Sequence, residues 1–265
     1  MLTTLQPFKR TLHIHLYISA MSRKVTLVTA FIPSNSSRQD RKLVQYMELG
    51  SKLLTVPINK IFFTTQEIID EYKLESNEHT QIVCIKLDNY LYQNRDKITQ
   101  FELTTTNPDK DTLDYMIIMC SKTEYITKAI ELNPYQSRDF VWVDFGIRHV
   151  FKCSDEEYQT KILRLHDKSY QGIRIASIWP LSADVSGYMD IYRQIHWFFA
   201  GGVFGGDRES LLEFANRMRE KCLEIISTRK SLMWEVNIWR MIYLNNPKLF
   251  LPYKCDHDMT IIDNY

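Results

Sequence analysis

The chain has 265 residues, 45% hydrophobic and 25% charged, with 33 basic side chains against 32 acidic ones and a net charge of +1. That length is enough for a large buried core and one sizeable domain. The balanced charge argues against a nucleic-acid or anionic-membrane partner, both of which need clustered positive charge. Five scattered cysteines (Cys84, Cys120, Cys153, Cys222 and Cys255) include no Cys-x-x-Cys pair. This argues against a disulfide framework or a structural zinc site and points to reduced thiols in a cytoplasm-like compartment. No apolar stretch is long enough to span a bilayer.

Residues 1–23 read as a leader or an overcalled N-terminal extension. Lys9 and Arg10 precede an apolar stretch that His13 and His15 interrupt, and Met21 stands just before the first convincing strand. Residues 25–32 (Val-Thr-Leu-Val-Thr-Ala-Phe-Ile) are a β-rich apolar run ended by Pro33-Ser34-Asn35-Ser36-Ser37, which predicts a buried strand and a loop. Residues 41–55 carry Leu43, Val44, Met47, Leu53 and Leu54 on helical spacing, and Pro57 stops them. A strand at 58–63, a short helix at 66–73 and a strand at 81–87 follow. Residues 104–112 read as a loop and 113–132 as one helix. Residues 139–144 form a short apolar strand ending in a carboxylate, 174–179 a strand closed by Pro180, and 195–199 an aromatic strand. Residues 207–227 are the clearest helix, capped by Asp207 and lined on one face by Leu211, Ala215, Met218, Cys222 and Ile225. A further helix covers 232–244 and an extended piece 248–252. This alternation predicts one α/β domain over 24–265, with a mixed, mostly parallel sheet flanked by helices.

Three segments place unusual chemistry near strand ends, where open α/β sheets bind ligands. Trp142-Val143-Asp144-Phe145-Gly146 delivers a carboxylate to the end of an apolar strand. Asp144 there suits a divalent cation bridging to a diphosphate, or it caps the following turn. Phe199-Ala200-Gly201-Gly202-Val203-Phe204-Gly205-Gly206-Asp207 holds four of the eight glycines. Such a block lets backbone lie against a flat ligand, with the helix at Asp207 pointing its free N–H groups toward it, or forms a tight hairpin leading into that helix. It is not a dinucleotide-binding fingerprint. In Tyr253-Lys254-Cys255-Asp256-His257-Asp258, His257 could complete a metal shell and Lys254 neutralise phosphate, or the segment is a solvated tail.

Together these segments resemble a GT-A-type glycosyltransferase. More narrowly, the chain resembles the HtrL/YibB family over residues 24–265. The likeness is carried by Val28-Thr29-Ala30, by Trp142-Val143-Asp144-Phe145-Gly146-Ile147 with His149, by Ala200 to Gly206, and by Cys255-Asp256-His257. The glycine block is also similar, locally, to the acceptor-side segment of the blood-group-type galactosyl- and N-acetylgalactosaminyltransferases. The resemblance implies a nucleotide-sugar, UDP-linked, bound with Mn²⁺ or Mg²⁺ and a glycan or protein acceptor. It implies Thr29, Ala30 and Phe31 near the nucleobase or ribose, and Asp144 at the metal and diphosphate. It further implies Gly201 and Gly202 facing the transferred sugar and His257 as a second metal ligand. The usual motif has a second acid where this chain has Gly146, which leaves open a metal held mostly by the donor phosphates.

An inverting transfer also needs a general base on the acceptor hydroxyl. Asp207 and Glu235 are the candidates, against an N-cap and a helix-surface acid respectively. Trp142, Trp179, Trp197, Trp234 and Tyr188 could stack on a base or sugar, or belong to the core. Lys122 and Arg148 are possible phosphate partners, or surface cations. Two other readings stand beside glycosyl transfer. One is a non-catalytic protein that binds a nucleotide or glycan. The other is an unrelated α/β hydrolase or nucleotidyltransferase, though the chain lacks Gly-x-Ser-x-Gly and a P-loop.

Overall fold

Seven strands form one sheet in the order β3-β2-β1-β4-β6-β5-β7. They are β1 (Thr26–Phe31), β2 (Lys60–Thr64), β3 (Thr80–Cys84), β4 (Asp139–Val143), β5 (Ile173–Ser177), β6 (Phe199–Asp207) and β7 (Phe250–Lys254). The computed structural model describes residues 25–33, 42–187 and 189–265. The expected leader at 1–23, the polar cluster from Ser34 to Ser37, the first residue of the helix expected at 41–55 and Tyr188 lie outside the described residues.

β1 pairs in parallel with β2 on one side and β4 on the other, and β2 pairs in parallel with β3. β6 runs antiparallel to both β4 and β5, and β7 is parallel to β5. The sheet is therefore mixed and mostly parallel, as its helix–strand alternation predicts. The chain builds outward from β1 to β3 and then returns to β4 on the other side of β1. The carboxyl ends of β1 and β4 thus flank a topological switch point.

Period-2 alternation decides which face each side chain meets. Val28, Ile61, Phe63, Phe140, Trp142 and Phe204 enter one core. Leu27, Val141, Val143 and Val203 enter the other. The first core is closed by α5 (Lys122–Leu132), α7 (Arg208–Arg229) and α8 (Glu235–Asn245). In α7 the buried residues are Leu211, Phe214, Ala215, Met218, Cys222, Ile225 and Ile226, the stripe expected from spacing, extended by two positions. The second core is closed by α1 (Leu43–Leu54), α6 (Asp155–Leu163) and α9 (Thr260–Asp263). Short helix α2 (Gln66–Tyr72) packs Ile68 against Phe62 and Phe145, and α3 (Tyr90–Gln93) adds Leu91 to the first core. No helix among the described residues is long and apolar enough to cross a membrane.

Two expectations are corrected. The helix expected at 113–132 is two, α4 (Leu113–Cys120) and α5, broken at Ser121. The Ser121 hydroxyl donates to the Ile117 carbonyl at 2.7 Å and accepts from the Asn89 amide at 2.9 Å, which ends the first helix. The strand expected at 195–199 begins instead at Phe199 and runs through the glycine block, which forms neither a loop nor a hairpin. Its glycines stand where other atoms crowd in. A Cβ on Gly205 would meet the Phe140 carbonyl and the Tyr265 hydroxyl, each at 2.5 Å, and one on Gly206 would collide with the Gly172 carbonyl.

Lys60 is fully buried in β2, with its ammonium donating to the carbonyls of Val56 (2.6 Å) and Leu54 (3.3 Å) and to the Thr80 hydroxyl (3.2 Å). Those acceptors are neutral, and burial lowers its pKa from 10.5 to about 8. A lysine whose folded pKa is depressed contributes stability present above its unfolded pKa and lost as pH falls through the folded one. Urea unfolding between about pH 7 and about pH 10 should show stability rising with pH, and Lys60→Met should lack that rise. An unchanged pH dependence in the variant would mean that Lys60 does not titrate in this window.

Candidate functional site

At the switch point a cavity of about 600 Å³ opens between the ends of β1 and β4 and the start of β6. This volume lies within the range of small-molecule sites. β6 is antiparallel, so its first residues, Ala200, Gly201 and Gly202, reach the same end of the sheet as Ala30, Phe31 and Asp144. α4 and α5 supply Tyr115, Ile118, Met119 and Lys122. The start of α8 supplies Trp234, Glu235 and Val236.

The floor is a cluster of charges. Lys122, the first residue of α5, has a side chain only 2% exposed. Its ammonium donates to the Gly201 carbonyl at 2.9 Å and to Glu235 Oε1 at 3.0 Å, and pairs with Asp144 Oδ1 at 2.9 Å. A lysine has three N–H donors, and these three oxygens use them. Burial pulls the ammonium down, but the Asp144 and Glu235 charges outweigh it and hold the pKa up at about 12. Asp144 Oδ1 also accepts from the Trp142 indole N–H at 2.6 Å. Its backbone N–H donates to the Gly202 carbonyl at 2.9 Å, so both ends of the residue are tied to the sheet. The carboxylate is 36% exposed to the cavity, while Glu235 is 8% exposed. Burial, then the Glu235 and Asp144 charges, raise the Tyr115 phenol well above its ordinary value, so it stays a proton donor beside them.

This arrangement sorts the residues named from sequence. Asp144, Gly146, Ala30, Phe31, Gly201, Gly202, Lys122, Glu235 and His257 share the cavity. Lys122 is neither a surface cation nor a free phosphate partner, since its donors are taken. Glu235 is buried, which overturns the surface-acid alternative. Gly201 has a local reason to be glycine: a Cβ there would stand 2.5 Å from Glu235 Oε1 and 3.1 Å from Lys122 Nζ. Thr29 is buried beneath the cavity wall and does not line it. Lys254 is exposed on β7 and outside the cavity. Arg148 is committed to Asp155 at 3.3 Å and to the carbonyls of Phe151 and Cys153. Of the tryptophans, Trp142, Trp197 and Trp234 line the cavity, while Trp179 packs against Phe198.

Asp207 is corrected as a candidate base. It lies six residues along β6 from Gly201, about 20 Å away at ~3.3 Å per residue. Its carboxylate accepts from the Ser210 N–H (2.9 Å), the Ser210 hydroxyl (2.8 Å) and the Gly172 N–H (2.8 Å). Burial raises its pKa, but these hydrogen bonds overcome that and lower it. Asp207 is the cap of α7, and that helix N-terminus is turned away from the cavity.

Lys42, Tyr46 and Lys110 also line the cavity. They carried no sequence signal, because isolated residues in a helix start and a loop look like ordinary surface. Phe31 stacks on Phe145 (5.3 Å) and packs at a tilt against Tyr46 (5.5 Å), giving this wall an aromatic character. His257 is packed edge-on against Trp197 at 4.3 Å, and burial lowers its pKa despite Asp256 and Asp258, which favours the neutral imidazole. No group of three or more His, Cys, Asp or Glu side chains among the described residues could hold a metal ion. Asp144 and His257 line the same cavity and offer two ligands of types that divalent cations take. They do not fit a resident metal.

Residues 23–257 match a family model described as "Bacterial protein of unknown function (HtrL_YibB)". No curated protein matches the chain. Among solved structures it is similar to Rv0371c from Mycobacterium tuberculosis H37Rv in complex with manganese. The identity there is 8%, over 89% of this chain and 90% of that one, with a TM-score of 0.39. It is also similar to 4-diphosphocytidyl-2C-methyl-D-erythritol synthase from Anaerococcus prevotii at 10% identity, over 88% of each chain, with a TM-score of 0.40.

Removing the ammonium from the floor leaves the buried Glu235 carboxylate facing the partly exposed Asp144 with no counter-charge between them. Lys122→Met should destabilise the fold by about 3–5 kcal/mol in urea unfolding at neutral pH. A loss under about 1 kcal/mol would mean that the ammonium does not hold the floor together.

Proposed function

The chain belongs to the HtrL_YibB family, and on that premise we propose that it is a nucleotide-utilising transferase that moves a sugar from a nucleotide-sugar to a glycan or protein acceptor. The observation that carries this reading is Asp144, fixed at the end of β4 by an ammonium and an indole N–H and open to a cavity sized for a small molecule. Aromatic Phe31 and Tyr46 suit a nucleobase at the end of β1, and a UDP-linked donor is the specific form proposed. Lys42 and Lys110 at the cavity wall favour an anionic ligand. The five unbridged cysteines support a reducing, cytoplasm-like compartment.

In the transfer the acceptor oxygen bonds to the anomeric carbon as the bond from that carbon to the diphosphate breaks, and the nucleoside diphosphate leaves with the electron pair. A divalent cation, Mn²⁺ or Mg²⁺, would neutralise charge on that leaving group when bound by Asp144 and His257. Glu235 is the acid suited to accept the acceptor's proton in an inverting reaction, being the one of the two sequence candidates that lines the cavity. Gly201 and Gly202 leave the sugar room beside the floor. Gly146, in place of a second acid, favours one alternative: a protein that binds a nucleotide or glycan without turning it over.

Calorimetry with UDP, with and without Mn²⁺, tests the donor site. Wild type should bind, and Asp144→Ala should bind at least about tenfold more weakly, a difference of about 1.4 kcal/mol. Absence of binding by folded wild type under both conditions would sink the UDP reading. Release of UDP from sugar nucleotides then separates enzyme from binder: Glu235→Gln should lower turnover by about 10²–10⁴. Asp207→Ala should lose about 1 kcal/mol of stability while keeping wild-type UDP affinity. Binding with no release from any sugar nucleotide would favour the non-catalytic alternative.

A further inference from the structure

Residues 178–198, between β5 and β6, contain no helix or strand among the described residues. Stretches of that length inside a domain are uncommon and usually serve function. This one forms part of the cavity wall through Ile195 and Trp197. The residues that alternate with them turn the other way. His196 lies beside Trp179 and Phe198, and the Arg240 guanidinium sits 4.3 Å from the centre of the Phe198 ring.

The segment is held at Arg193 by the Thr104 N–H (2.7 Å) and at Trp197 by the Trp179 N–H (2.9 Å), and α8 fastens the backbone around them from beneath. Asn237, on the first turn of α8, is fully buried. Its Oδ1 accepts from the His196 backbone N–H at 2.8 Å, and its Nδ2 donates to the carbonyls of Ile191 (2.7 Å) and Gln194 (2.8 Å). Both amide protons and the acceptor are thereby used, all on the segment. Arg240, one turn further on, donates to the Leu181 carbonyl at 2.5 Å. Glu235, two residues before Asn237, belongs to the charged floor.

We propose that Asn237 is a positioning residue that holds Ile195 and Trp197 as a wall of the ligand cavity and sets that wall in register with Glu235. The three hydrogen bonds fix the backbone on both sides of Ile195, and the side chains of 195 and 197 project from that fixed backbone. Wall and acid thus ride on one helix. The ligand arm of the test rests on the nucleotide reading given above, and the backbone arm does not.

Amide hydrogen exchange on the full chain, without ligand, reads the clamp. In Asn237→Ala, amides of residues 191–197 should exchange about tenfold faster or more, while those of β1 and β4 keep wild-type protection. UDP affinity by calorimetry should fall about tenfold alongside. If Asn237→Ala does not fold, Asn237→Asp reads the same quantities, since it keeps the acceptor for His196 and loses both donors. Wild-type exchange in a folded variant would overturn the proposal. So would faster exchange with unchanged UDP affinity, because the segment would then be held without shaping the cavity. If wild type binds no UDP and the variant still loosens residues 191–197 alone, the clamp stands and the nucleotide reading falls.

Discussion

One ammonium group joins four parts of the chain that are otherwise separate. Lys122 begins α5, Asp144 follows β4, Gly201 lies in β6 and Glu235 begins α8, and their polar atoms meet within 3.0 Å of one nitrogen. A buried charge is tolerable only when oxygens replace the water it has lost. Here two of the oxygens are charged, and without the lysine the buried Glu235 would be left with no counter-charge. The shape of the cavity follows from this. The helices cannot move away from the sheet without stranding a charge, and a side chain at position 201 would have to displace the Glu235 carboxylate from the ammonium.

The contrast with Lys60 isolates what the acids do. Both lysines are buried and both donate to oxygens. Lys60 has only carbonyls and a hydroxyl and is pulled down to about 8, whereas Lys122 has two carboxylates and is held at about 12. Burial acts the same way on each, and the sign of the outcome is set by the charge of the partners. Lys60 accordingly serves packing in the sheet, while Lys122 keeps a fixed positive charge beside a cavity.

Much of the sheet was readable because β1 and β4 are apolar runs closed by a proline-serine cluster and by a carboxylate. Asp144 was readable for the same reason: an acid directly after such a run must lie at a strand end. β6 was not, because four glycines in a strand contradict local preference. They are tolerated there because the Phe140 carbonyl, the Tyr265 hydroxyl, the Gly172 carbonyl and the ion pair fill the space their side chains would take. The break at Ser121 was hidden, since the apolar spacing runs straight through it and only the distant Asn89 reveals it. Lys122 looked like a surface residue for lack of any local sign that its partners come from far along the chain. Asp207 was read rightly as a cap and wrongly as a base, because sequence does not say which end of a strand faces the ligand.

The distance along the chain between these partners has a consequence for how the molecule is made. Gly201 follows Lys122 by 79 positions and Glu235 by 113. A ribosome supplies the lysine and soon afterwards Asp144, but the Gly201 and Glu235 oxygens come much later, so two of the three partners of the ammonium are missing while most of the remaining chain is synthesised. Docking of α8 supplies the last of the three oxygens that replace the ammonium's water. The charged floor of the cavity is therefore complete only once β6 and α8 are both in place.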